Sequence, residues 1–101
     1  MNIEIAKQKV QIYLDKVYFG EDSARIIDEL TIIKPYGWIF FYQSKKYLET
    51  KDNKYLLFGT GPILLNRGNN FLCIFGSYKP AEYFILEYEK GNDLSEKVLI
   101  D

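Results

Sequence analysis

A chain of 101 residues has the length of one domain, and one this long buries about two-thirds of the surface its unfolded form exposes, so no disulfide framework is needed to hold it. Thirteen basic residues against fourteen acidic ones leave a formal charge of −1, and no case for nucleic acid arises from that balance. There is no histidine, which removes the usual general base near neutral pH and the commonest metal ligand, and the single cysteine excludes an internal disulfide.

The opening Met1-Asn2-Ile3-Glu4 has no basic n-region, and the apolar runs fall far short of the ~20 residues of a membrane span. With one cysteine fitting a reducing compartment, the expected location is the cytoplasm, with no membrane partner. Nine of the aromatic residues are tyrosines, side chains that suit the rim of a core and recognition faces equally, and composition does not separate the two.

Residues 2 to 18 are predicted to form a helix. Asn2 caps it, Glu4 sits in its first turn, and Ile3, Ala6, Val10, Tyr13, Leu14 and Val17 share one face. Gly20 ends it and Glu21 to Arg25 is a polar connection. A strand is predicted over Ile26 to Ile33, with Ile26, Asp28, Leu30 and Ile32 on one face. A turn at Lys34-Pro35-Tyr36-Gly37 follows, since proline presets φ and glycine tolerates the turn's end. The next strand, Trp38 to Tyr42, is apolar on both faces: Trp38, Phe40 and Tyr42 point one way and Ile39 and Phe41 the other.

The longest polar stretch is Gln43 to Lys54, read as an exposed excursion anchored by Tyr47-Leu48 and by Tyr55 to Phe58. Gly59-Thr60-Gly61-Pro62 leads into a third strand, Ile63 to Leu65. Arg67 to Asn70 is a hairpin turn, and Phe71 to Phe75 a fourth strand. Pro80 opens a second helix with Ala81, Phe84, Ile85 and Tyr88 as its stripe, stopped by Gly91-Asn92. The order α-β-β-β-β-α predicts an α+β fold, a four-stranded antiparallel sheet with both helices packed on one face. Residues 1–91 are expected to be one domain and 92–101 a short tail, in which Val98-Leu99-Ile100 pairs as an edge strand, docks, or stays loose.

No residue pattern in this chain supplies catalysis. Cys73 shares a face with Phe71 and Phe75, the setting of a buried structural thiol. On a strand, Asp28 and Glu29 point to opposite faces and cannot share a substrate. Gly59-Thr60-Gly61 precedes a strand, whereas a phosphate loop needs a helix N-terminus. Lys45, Lys46, Lys51 and Lys54 interleave with Tyr47 and Tyr55 as in a nucleic-acid groove, but Glu49 and Asp52 dilute the patch into a solvated loop. No cofactor is implied.

Three stretches carry a family resemblance: Asp28 to Ile32 with Gly37 to Leu48, then Gly59 to Ile63, then Pro80-Ala81-Glu82-Tyr83. Together they resemble the YrhB-like group, immunity protein family thirty-five, from about the first helix to Tyr88. The resemblance implies a non-enzymatic antidote that neutralises a cognate protein toxin domain by stoichiometric binding, with no catalytic residues to carry over. One branch of the family is instead associated with chaperone-like, holdase behaviour. The turn Lys34-Pro35-Tyr36 departs from the more polar turn expected there. Antidotes present aromatic anchors and charge, so the candidate partner-binding residues are Lys45, Lys46, Tyr47, Glu49 and Tyr55 of the excursion and Tyr36 at the hairpin tip. The sheet face around Asp28 and Glu29 is the alternative. In the rival account Tyr47 and Tyr55 only pin the loop to the core. The oligomeric state stays open.

Overall fold

The computed structural model describes residues 1–99. The elements run α1 (Ile3–Val17), β1 (Ala24–Ile26), β2 (Ile32–Lys34), β3 (Gly37–Phe40), β4 (Tyr42–Ser44), α2 (Lys45–Thr50), β5 (Ile63–Asn66), β6 (Phe71–Ile74), α3 (Ala81–Glu89) and β7 (Glu96–Leu99). The fold is α+β and every strand pair is antiparallel. The main sheet has five strands rather than four, in the order β2-β3-β5-β6-β7, and β1 and β4 form a separate two-stranded ribbon. The fifth strand is β7, the edge-strand option for the tail; Ile100 and Asp101, which complete the predicted tail, lie outside the described residues.

The helices do not share a face, which corrects the expected packing. Trp38, Phe40, Ile63, Leu65 and Leu72 project from one side of the sheet and pack on Ala6, Val10 and Leu14 of α1. Ile39, Leu64 and Cys73 project from the other and, with Phe75, pack on Phe84 and Ile85 of α3. The reason lies in β3, β5 and β6. Their consecutive residues are buried on alternate faces, so leaving either face bare would expose a full set of large apolar side chains. At about 1.5–3 kcal/mol per buried side chain of this size, neither cover is dispensable.

α1 forms as predicted. The Asn2 side chain accepts the Ile5 N–H at 3.0 Å, and the chain leaves the helix at Tyr18 with extended backbone. Ala6, Val10 and Leu14 are fully buried, whereas Val17, assigned to the same stripe, is 47% exposed. α3 follows Pro80, and its stripe of Ala81, Phe84, Ile85 and Tyr88 lies in the second core.

The predicted strand over Ile26 to Ile33 is two strands. Between the paired positions Ile26 and Ile32 the first arm of the hairpin carries five residues, where the second arm carries only Phe40 and Phe41 between Ile39 and Tyr42. The excess winds into a 3₁₀ turn at Asp28–Leu30, closed by the Leu30 N–H on the Ile27 C=O at 3.0 Å and the Thr31 N–H on the Asp28 C=O at 3.1 Å. A bulge of this size re-aims the chain. Ile26 enters the first core, Ile32 packs against the second, and Leu30, expected on their shared face, is 51% exposed.

Trp38 is 2% exposed, and the Arg67 guanidinium lies 4.2 Å from its ring centroid as a cation–π cover at the sheet's end. Trp38→Ala is expected to cost about 3–5 kcal/mol of stability in urea unfolding, because the cavity lies between α1 and three strands that hold each other in place.

Candidate functional site

The polar excursion is not a loop. Ser44, 1% exposed, closes β4 and its Oγ accepts the Tyr47 N–H at 3.1 Å, which caps α2. The Lys45 N–H donates to the Ser23 C=O at 2.7 Å, joining the helix start to the segment before β1. Lys51, in the left-handed region at φ 61°, ends the helix, and the Asp52 carboxylate accepts the Lys54 N–H at 3.1 Å to start a 3₁₀ turn over Asn53–Tyr55. Gln43 then fastens the return: its Oε1 accepts the Leu57 N–H at 2.7 Å and its Nε2 donates to the Leu57 C=O at 3.3 Å. The excursion is therefore held at both ends, but Phe58, expected among its apolar anchors, is 88% exposed and the return is fastened at Leu57 instead; its middle is helical.

Within it the predicted residues divide. Tyr47 and Tyr55 are half-buried, with Lys46 and Lys54 at 5.2 and 5.1 Å from the Tyr55 ring centroid and Lys51 at 5.7 Å from that of Tyr47. Lys46 also lies 3.5 Å from Glu21. These side chains are engaged with their own fold. Lys45 and Glu49 are exposed and form no ion pair among the described residues.

Sequence reasoning missed aromatic residues exposed toward the same end of the sheet. The start of β5 at Ile63 pairs with Phe40 and Ile74, so the segment before β5 and the segment after β6 leave the sheet at the end where β3 runs on into β4 and α2. Gly61 draws the two segments together, since a Cβ there would run into the backbone of Phe75 and Gly76. The Phe75 N–H also donates to the Pro62 C=O at 3.0 Å. At this end Phe58 is 88% exposed and Tyr78 71%; Tyr78 and Tyr83 stand edge-on to buried Phe84 at 5.1 and 5.6 Å between centroids. The signal in the sequence was Phe58 directly before Gly59-Thr60-Gly61-Pro62, an aromatic at a position belonging to no strand.

The remaining candidates lie elsewhere. Tyr36 is not a free hairpin tip: its hydroxyl donates to Glu89 Oε2 at 2.8 Å and its ring lies 5.4 Å from Tyr88, which holds the turn on α3. Burial, then the Glu89 hydrogen bond, pushes its phenol far above the ordinary range. Asp28 and Glu29 sit on the 3₁₀ turn, not on a sheet face, so the alternation argued for them does not apply; Asp28 Oδ1 lies 2.6 Å from Lys7 Nζ of α1. The eight predicted residues thus occupy three separate places.

Cys73 is fully buried in the second core, as its strand position implies, and burial pushes its thiol up, so it stays protonated at neutral pH. Among the described residues no group of three or more His, Cys, Asp or Glu is placed to hold a metal ion, and no helix is long and apolar enough to cross a membrane.

Glu89 is held below its ordinary 4.5 by hydrogen bonds from Lys34 and Tyr36. A carboxyl depressed in the folded state stabilises fully above its unfolded pKa, and that contribution is lost as pH falls through the lower folded value. Glu89→Gln is therefore expected to lower the melting temperature at neutral pH and to shrink the difference from the parent as pH falls below 4.5, read from thermal melts across the acid range.

A family model described as Immunity protein 35 matches residues 4–89. Over 53 residues the chain is 30% identical to "Uncharacterized protein YrhB" of Escherichia coli (strain K12), covering 52% of this chain and 56% of that relative. The chain thus spans about half the length of the curated relative it matches. No solved structure matches it.

Proposed function

We propose a function from kinship first: the chain belongs to the immunity protein 35 family, and it acts as a cytoplasmic antidote that binds a cognate toxin domain one to one and blocks it without catalysis. The family match across residues 4–89 carries this reading. The chemistry supports it, for the thiol is buried and histidine is lacking. The holdase alternative has no observation in its favour.

The end of the sheet bearing α2 is the surface this reading favours. Large aromatics exposed beside unpaired charges are what a protein partner uses, the rings for affinity and the charges for speed of encounter. Phe58, which follows the Leu57 fastened to Gln43, and Lys45 and Glu49 of α2 meet that description, with Tyr47 and Tyr55 on the same ordered excursion.

The test uses a cognate toxin domain, sought first in the genes neighbouring the one that encodes this chain. Phe58→Ala is expected to weaken the complex by at least tenfold, while unfolding stability changes by no more than about 0.5 kcal/mol. Charge reversal at Lys45 and Lys46 is expected to slow association, most at low salt, with a small loss of melting temperature from the Glu21 contact. Unchanged binding in both variants would move the interface away from this end. Cys73→Ala should leave protection of toxin-producing cells intact; loss of protection by a folded variant would assign the thiol a chemical role.

A further inference from the structure

The two edges of the main sheet are guarded unequally. β7 carries Glu96 and Lys97, the kind of charges that keep an edge from pairing. β2 carries one charge, Lys34, and it is drawn back 3.0 Å from Glu89 on α3. Around β2 Ile33 is 65% exposed, Leu86 of α3 55% and Leu30 51%. A groove of about 280 Å³ runs between β2 and α3, lined by Ile32, Lys34, Glu82, Ile85 and Leu86.

The backbone of this edge selects its partner. Lys34 and Gly37 are a hydrogen-bonded pair closing the turn, so by alternation Ile33 is the position whose N–H and C=O both face away from β3. Most neighbouring edge groups are unavailable: the Thr31 N–H is used on the Asp28 C=O, Pro35 has no N–H, and the Pro35 C=O accepts from Arg67 Nε at 3.1 Å, which leaves the Thr31 C=O beside Ile33. A long foreign strand would find both groups of only this one residue, with a single acceptor at Thr31 beside it. A second β2, antiparallel with Ile33 opposite Ile33, satisfies both groups about a two-fold axis.

Side chains agree with that register. Ile32 and Lys34 lie on the α3 face, so each Lys34 would sit opposite Ile32 of the other copy. Glu89 is next to Lys34, and Glu82, two helical turns earlier and about 10 Å along the axis, borders the other end of the groove. Glu82 has no ion pair among the described residues. The pairing brings Lys34 of one copy toward Glu82 of the other and lays the two exposed Leu86 side chains across the joint.

We infer that this chain forms a two-fold homodimer through its β2 edges, centred on Ile33 and making one continuous ten-stranded sheet. Ile33 and the hairpin turn lie toward the end opposite α2, so both α2 ends remain open. The inference is independent of the antidote reading and is tested without a toxin.

Sedimentation velocity of the purified chain is expected to give twice its 11.9 kDa mass at micromolar concentration. Ile33→Lys and, separately, Leu86→Glu should return the monomer mass with an unchanged circular dichroism spectrum, whereas Leu99→Lys on the β7 edge should stay dimeric. Glu82→Lys should weaken the dimer more at low salt than at high salt. A wild-type monomer at every soluble concentration overturns the inference. So does a dimer that dissociates with Leu99→Lys but not with Ile33→Lys. A monomer that loses toxin binding on Ile33→Lys also overturns it and gives the edge to the toxin.

Discussion

β3 is the constraint from which the rest follows. Trp38, Ile39 and Phe40 are consecutive and all buried, at 2%, 0% and 0% exposure. In a pleated strand that requires apolar cover above and below, and strands on both sides. The backbone is shaped to match: Gly37 opens the strand where a Cβ would run into the backbone of Leu65 and Asn66, so β5 approaches closer than any side chain at that position allows. The chain meets the demand for two covers with its two longest helices, α1 placed before the sheet and α3 after its fourth strand.

The three-residue imbalance of the hairpin decides where the surface features lie. Had both arms been equal, β1 and β2 would run on as one strand and β4 would continue β3 within the main sheet. The 3₁₀ turn at Asp28–Leu30 breaks the first arm, and the β1–β4 ribbon turns over α1, where the Gln11 side chain donates to the Ala24 C=O at 2.9 Å and Asp15 faces Arg25 at 3.5 Å. α2 grows directly from that ribbon through Ser44. Its position beyond the sheet's end, close to the Leu57–Phe58 return that Gln43 holds, is a consequence of core packing and needs no separate device.

The sequence made legible what rests on periodicity and on turn chemistry. The α1 and α3 stripes, the Pro35–Gly37 turn, the two-sided strand and the buried Cys73 all depend on neighbours within a few positions. The two-face arrangement of the helices was already implied by the double-sided pattern of Trp38 to Tyr42, and placing both helices on one face left Ile39 and Phe41 without cover. The division of Ile26 to Ile33 depends on counting residues against a partner arm, which one strand read alone does not show. α2 escaped because its six residues have no apolar stripe and its order comes from the Ser44 cap and the Gln43–Leu57 bonds, the latter spanning fourteen positions. Tyr36 was misplaced for the same reason, since its anchor, Glu89, is 53 residues away.

That last group bears on how a surface like the α2 end would bind. Lys46, Lys51 and Lys54 resemble free recognition charges in the sequence, yet each lies over a tyrosine ring of its own excursion. A lysine already held in this way has less rotamer freedom left to lose when a partner arrives, and the ring beneath it is fixed as well. It also offers less unsatisfied charge. The division that follows is between an ordered support, Tyr47 and Tyr55 with their lysines, and the exposed side chains of Phe58, Lys45 and Glu49, which make no ion pair or ring contact among the described residues. Affinity gained by the second set costs ordering entropy only at those few side chains, because the backbone under them is already tied to β4 and to the segment before β1. On the proposed reading, diversifying exposed side chains on this fixed support would alter partner choice without touching Trp38 or its core, and recognition and stability would then rest on different residues of the same short chain.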